Sequence, residues 1–244
     1  MPKSAGRFTN SKQTLAGVRQ ICRTPQQLLF AEQPADYTRH MKNSKELLRE
    51  YLNDARNAVI YKAQGLSDHL ARKPLTPTGT HVLGVVHHLA ITEYGYFGQC
   101  LGREINNPYV QELMDSDDPQ ADFLPPAHFT AGDIIDFYQQ AVAFCEQSIA
   151  SLPLDAPAEV PWWIRRRHTT LEQLMIHMIA ETSRHAGHLD IVREQLDGFT
   201  GLRPEAPNLP PYSTTQWEQQ YTKINQLSQT LDAGSSADEG NISG

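Results

Sequence analysis

Four long stretches of this 244-residue chain repeat apolar side chains every three or four residues, and none alternates for long enough to read as a sustained strand. In the first, roughly Ser44 to Gln64, Leu47, Leu48, Tyr51, Leu52, Ala55, Ala58 and Val59 recur at that spacing ahead of Gly65. A connector, LSDHLARKPLTPTG, leads into a second helix from about Thr80 through HVLGVVHHLAITEYGYFGQC. The polar loop NNPYVQELMDSDDPQADFLPPAH is long enough to shape a pocket rim. Beyond it Thr130 and Asp133 form a capping box for a third helix lasting to Leu152. After PLDAPAEVPWWIRRRH, Thr169 and Glu172 read as a second capping box, opening a fourth helix that Gly198 closes. Four amphipathic helices without an internal repeat predict an all-α four-helix bundle rather than a solenoid.

The flanks differ from this body. Residues 1–31 hold Lys3, Arg7, Lys12, Arg19 and Arg23 and no acid, and residues 1–43 are expected to form a basic arm. That composition overlaps with organelle transit peptides, so a targeting role stays open beside a cytoplasmic one. The bundle domain is expected over 44–231. It includes a proline-rich strap and a short terminal helix, capped by Ser213 and Gln216, that carries Trp217, Tyr221, Ile224 and Leu227. Residues 232–244 lack core-forming side chains and are expected to be disordered.

A net charge of −7 argues against nucleic-acid binding, which needs a basic face. No run approaches the apolar length of a membrane span. Cys22, Cys100 and Cys145 form no CxxC pair, so neither a disulfide framework nor a thiolate zinc site is indicated, and a reducing compartment is expected.

The informative residues are polar ones on core-facing positions, since bundles build their sites from facing helices. On a helical wheel of 171–197, Leu171, Leu174, Met178, Leu189, Val192 and Leu196 define the buried face. His185 points into the middle of that face and Glu181 lies about 50° to one side, whereas His177 and His188 sit on its flank. A buried carboxylate needs a partner. A Glu181–His185 hydrogen bond alone would serve; so would a divalent cation held by both. The second helix offers His81, His87 and His88 for a third ligand. His88 shares its face with Gly84, Thr92 and Gly95, small residues that leave room over the imidazole, whereas His87 reads as packed and His81 as superficial. Two histidines and one carboxylate would leave coordination positions open, the pattern of a catalytic metal.

The segments PLTPTGTHVLGVVHHLAITEYGYFG and LEQLMIHMIAETSRHAGHLDIVREQLDG, with the ending NLPPYSTTQWEQQY, resemble the DinB-like superfamily of metalloenzymes, and within it the mini-circle protein branch. The resemblance extends over approximately Ser44 to Leu227. It implies an up-down-down-up four-helix bundle, often dimeric, so a homodimer is expected. It also implies a metal held by one histidine of the second helix and an i, i+4 pair of the last, as in mycothiol-dependent maleylpyruvate isomerase. Carried across, those residues are His88, Glu181 and His185. The ion expected is divalent, zinc first, with nickel, iron or manganese as alternatives.

The resemblance implies a metal-dependent transferase or isomerase that uses a low-molecular-weight thiol on a small electrophilic substrate, the metal activating thiol or water. His188 and His177 are then candidate proton carriers, because an imidazole titrates in the right range. Two other readings stay open: a non-catalytic metal- or small-molecule-binding stress protein, and a non-haem iron enzyme, since two histidines and a carboxylate also match a facial triad. In WWIRRRH, Arg165 and Arg167 with Trp163 are candidates for binding the carboxylates of a thiol cofactor. The alternative is that Trp163 plugs the bundle end while the arginines stay in solvent.

Overall fold

The structure, a computed structural model, describes residues 43–238. The expected basic arm, apart from Asn43, and the last six residues of the expected tail lie outside the described residues. Four long helices build the bundle: α1 (Ser44–Ala63), α3 (Val82–Phe97), α5 (Ala131–Ser151) and α6 (Leu171–Asp197). Between them lie two short helices, α2 (Asp68–Arg72) and α4 (Pro108–Met114), and a two-stranded antiparallel hairpin, β1 (Pro157–Glu159) with β2 (His168–Thr170). A last helix, α7, spans Thr214–Asp238.

Contacts between helix ends fix the topology. Lys62 at the end of α1 pairs with Asp190 late in α6, so these two run parallel. Ser148 near the end of α5 donates to the carbonyl of Phe97 at the end of α3, so those two run parallel as well. Lys45 at the start of α1 donates to the carbonyl of Leu152 just past α5, so α1 opposes α5. The order is up-down-down-up, and the chain is an all-α bundle of the DinB-like type.

The apolar periodicity becomes a continuous core. Leu83, Val86, Leu89, Ile134, Tyr138 and Leu189 fill one end, and Leu52, Phe97, Ile149, Leu171, Leu174 and Met178 fill the other. One polar group crosses it. Arg56 of α1 forks onto both carboxylate oxygens of Glu93 of α3, each at 2.6 Å, and reaches Glu146 of α5 at 2.7 Å. Arg56 and Glu93 are fully buried, so three helices meet at one desolvated ion pair.

Local signals place most helix ends. Thr130 and Asp133 form the capping box of α5, and Ser213 and Gln216 exchange the equivalent bonds ahead of α7. Gly65 and Gly198 adopt φ of +78° and +75° just beyond α1 and α6, where a side chain would be strained. Other details differ from the sequence reading. The cap of α6 is Thr170, whose side chain accepts from Gln173 N–H, one residue later than the Thr169–Glu172 signature suggested. The 66–79 connector and the 106–128 loop each hold a short helix, the second capped by Asn107 with Pro108 at its first position. Leu196 is only half-buried, so the core face of α6 ends a turn earlier than its apolar pattern. The terminal helix is not short, and its backbone carries through 232–238, part of the stretch expected to be disordered. Among the described residues no helix is long and apolar enough to cross a membrane.

Candidate metal centre

His88 projects from the middle of α3 and Glu181 and His185 from successive turns of α6. One donor atom of each lies within 4.8 Å of the other two. Glu181 Oε1 is 3.0 Å from His185 Nε2 and 3.5 Å from His88 Nε2. The convergence of these three side chains, expected from the wheel for the α6 pair and from the small face of α3 for His88, is what the fold delivers. His185 is buried; His88 and Glu181 are half-buried and open toward a cavity.

Loop residues that the helical pattern does not reveal orient His88. Asp122, in a 3₁₀ turn (Ala121–Phe123) of the long loop, accepts a hydrogen bond from His88 Nδ1 at 2.7 Å. Because a carboxylate only accepts, Nδ1 carries a proton, which leaves Nε2, on the Glu181 side, as the nitrogen that would ligate an ion. Phe123 stacks on the His88 ring with centroids 4.1 Å apart and planes 15° apart. The turn can approach α3 this closely because of Gly84, where a Cβ would lie 2.6 Å from the Phe123 carbonyl oxygen and 2.6 Å from His81 Cε1. The space over Gly84 is therefore filled by loop backbone and the His81 ring, not left open as the run of small residues had suggested. His87 is packed as expected. Its Nδ1 donates to the Asp122 carbonyl at 2.5 Å and its Nε2 accepts from Tyr109 at 2.7 Å, so neither ring nitrogen is available to a ligand. Burial pushes this imidazole's pKa down.

Electrostatics within the trio suit ligation. Burial pushes the Glu181 carboxyl up, but His185 and His88 outweigh it and the group lies below its ordinary range. Burial pushes the His185 imidazole down, and His88 and His188 add to that effect. An ionised carboxylate beside a neutral imidazole is the protonation state a cation requires. Three nitrogen or oxygen donors held at about 2.0–2.2 Å from zinc sit roughly 3–3.6 Å apart, which the two separations from Glu181 Oε1 match. The donor set fits a divalent ion.

The cavity next to the trio has a volume of about 580 Å³. It is lined by His88, Glu181 and Asp122 together with Thr92, Gly95, Met114, Tyr96, Trp162 and His177. Tyr96 accepts a hydrogen bond from the indole N–H of both Trp162 and Trp163, each at 3.1 Å, and packs against the His177 ring. Burial raises the Tyr96 pKa, so the phenol stays protonated. Trp162 rather than Trp163 therefore faces the cavity. Trp163 is half-buried among the bundle-end residues, as its alternative reading had it. Arg165 and Arg167 are exposed and do not line the cavity, and Arg167 pairs with Glu159 at 2.8 Å. His177 does line it. His188 is exposed, with its Nδ1 3.4 Å from His185 Nδ1, on the side away from the cavity.

A family model described as mycothiol-S-transferase matches residues 47–198. The chain belongs to the mycothiol-S-transferase family. The match takes in α1 through α6 and thus every residue of the trio, and this family is a DinB-like one. None of the curated proteins matches the chain. Among solved structures, the crystal structure of a conserved protein of locus from Enterococcus faecalis is similar at 14% identity and a TM-score of 0.49, covering 65% of this chain and all of that one.

Proposed function

We propose that this member of the mycothiol-S-transferase family is a metal-dependent thiol S-transferase acting on a small electrophile. His88, Glu181 and His185 would hold a divalent ion, with zinc first among the candidates. The observation that carries the reading is the convergence of these three donors beside a cavity of about 580 Å³ that His88 and Glu181 line, with the His88 ring oriented through its Nδ1 by Asp122. Such an ion, when bound, supplies Lewis acidity that favours a thiolate over a thiol.

The chain's own residues account for the rest. His177 stands on the cavity wall with its imidazole pushed by burial toward the neutral form, so it can accept the thiol proton near neutral pH. The freed sulfur electron pair forms the new bond to carbon, and the electrons of the bond that breaks leave with the departing group. Tyr96, kept protonated, and the Trp162 indole shape the wall against which the electrophile is oriented. His188 touches His185 and is suited to holding that ring in place rather than to meeting substrate.

The test combines elemental analysis with thiol consumption. Purified protein should contain one divalent ion per chain, and Glu181→Ala should lose it. Metal-loaded protein should consume mycothiol, or another low-molecular-weight thiol from a panel, in the presence of a small electrophile such as a monohalobimane, whose halide departs, and His177→Ala should slow turnover while retaining metal. Full metal occupancy without turnover of any thiol would sink the transferase reading. Unchanged metal content in Glu181→Ala would sink the ligand assignment.

A further inference from the structure

Tyr96 follows His88 on α3, and two tryptophans fix the use of its hydroxyl. Pairing of β1 with β2, with Glu159 opposite His168, closes the loop that carries Trp162 and Trp163. Both indole N–H groups point at the Tyr96 oxygen, each at 3.1 Å. An indole N–H can only donate, so both bonds use the phenol oxygen as acceptor. The hydroxyl hydrogen is left over, and none of the described residues accepts it.

This hydroxyl belongs to the cavity beside the trio. Across the opposed helices α3 and α6, the His88 ring meets that of His185 at 5.0 Å between centroids, and the Tyr96 ring meets that of His177 at 4.7 Å. Thr92 and Glu181 lie between these two contacts, which stand eight residues, or roughly 12 Å, apart along each helix. Tyr96, Trp162 and His177 all line the cavity. Other groups there are poorly suited to give up a proton. Among the described residues no lysine or arginine lines it. The Thr92 hydroxyl already donates to the His88 carbonyl at 2.7 Å. Asp118, Asp122 and Glu181 are acceptors when ionised, and the Gln99 amide does not release a proton. His177 has the opposite task of taking the thiol proton.

We propose, resting on the transferase reading, that Tyr96 is the acid of the reaction. It protonates an oxygen of the electrophile, so the substrate class is one whose broken bond leaves an oxyanion, an oxirane above all. The thiol proton passes to His177, and the sulfur electron pair forms the bond to an oxirane carbon. The carbon–oxygen bond breaks with its electrons going to oxygen, which takes the Tyr96 proton. The His177 imidazolium returns a proton to the phenolate. Thiol and oxirane thus give a β-hydroxy thioether, and nothing else is consumed. The two indole N–H groups stabilise the phenolate at the moment its proton is gone, as donors aimed at a developing negative charge do. A halide leaving group needs none of this, because it departs as an anion.

The experiment offers two electrophiles, a monohalobimane and styrene oxide, with the same thiol to the metal-loaded full chain. The wild type should consume thiol with both. In Tyr96→Phe the ratio of the oxirane rate to the bimane rate should fall about 100-fold, the lower end of what a positioned acid contributes. Any loss that both substrates share, from a changed wall or a loosened fold, cancels in that ratio. Trp163→Phe removes one indole donor from outside the cavity lining and should lower the ratio about fivefold; it serves as the second variant if Tyr96→Phe does not fold. Calorimetric binding of the β-hydroxy thioether and of its deoxy analogue is a readout without turnover. The hydroxyl should tighten binding about fivefold in the wild type and not at all in Tyr96→Phe. An oxirane ignored by a chain that consumes thiol with the bimane, or a ratio unmoved in Tyr96→Phe, overturns the proposal and leaves the transferase reading intact. Equal affinity of the wild type for the two thioethers also overturns it. Failure with both electrophiles sinks the transferase reading, and this proposal with it.

Discussion

Asp122 Oδ2 lies 2.7 Å from His88 Nδ1, and this bond decides which nitrogen of His88 faces Glu181 and His185. The carboxylate sits in a loop and the imidazole on a buried helix, so the ligand's orientation is set from outside the helical pair that carries the trio. Removing such an outer partner ordinarily costs about 10–100-fold in metal affinity. Asp122→Ala should therefore bind zinc more weakly by that factor in a chelator competition, while Glu181→Ala loses binding altogether. Affinity in Asp122→Ala equal to that of the wild type would show that the bond does not orient the ligand.

Gly84 is what allows the loop to reach His88. A methyl there would sit 2.6 Å from the Phe123 carbonyl oxygen, which is backbone and cannot simply rotate away. Gly84→Ala should displace the Ala121–Phe123 turn, lower the melting temperature and reduce zinc affinity in the direction of Asp122→Ala. Gly132→Ala is the control, because its methyl meets only Thr130 Oγ1 at 3.6 Å. It should leave zinc affinity unchanged and stability equal or up to about 1 kcal/mol higher. Equal zinc affinity in the two variants would refute the argument.

The Arg56–Glu93 pair makes a stability prediction of a different kind. Glu93→Ala strands a fully buried guanidinium with Glu146 and Asn53 as its remaining partners, a loss of about 3–5 kcal/mol. In a domain of this size each kcal/mol lowers the melting temperature by about 2–4 °C. The double variant Arg56→Met, Glu93→Leu should recover most of the loss, since it leaves no fully buried charge, and Glu146, which loses Arg56, keeps Arg49. A double variant no more stable than Glu93→Ala would show that the network's geometry, not its desolvation, carries the cost.

How far the sequence reveals this molecule follows from how local each signal is. The long helices are legible because apolar period and caps are written within a few residues, as with Thr130 and Asp133. The trio is legible because an acid and two imidazoles stand on otherwise greasy faces. Asp122 is not: Asp115, Asp117, Asp118 and Asp122 share one polar loop, and only the tertiary path selects the one that meets His88. Arg56 and Glu93 carry no local mark of burial for the same reason, each being explained by a partner on another helix. The cap of α6 moves one place because Thr169 and Thr170 can both cap, and the β1–β2 pairing holds Thr170 in an extended conformation at the helix start. The helices α2 and α4 are too short to display a period at all.

Acid sensitivity should be traceable to the far end of α6. Hydrogen bonds from Arg193 hold the Asp197 carboxyl below its usual range against partial burial, and the Phe199 N–H adds to the effect. Arg193 is itself buried and donates to the carbonyls of Lys62 and Gln64, so the group clamps the ends of α1 and α6 together. A depressed carboxylate pKa means that the unfolded chain binds more protons in the acid range. The stabilisation is thus complete above the unfolded carboxyl's value of about 4 and fades as pH falls from there through the lower pKa of the folded group. The gap in melting temperature between wild type and Asp197→Asn should be constant from pH 8 to pH 5 and narrow progressively as pH falls below about 4. A gap that does not narrow at all as pH falls from 4 to 2 would assign the effect to something other than this ionisation.

Two of the chain's three tryptophans end on the Tyr96 hydroxyl beside the cavity. The protein thus carries a built-in optical gauge: an occupant that disturbs that phenol alters the surroundings of both indoles at once, and native emission can follow occupancy without any attached dye.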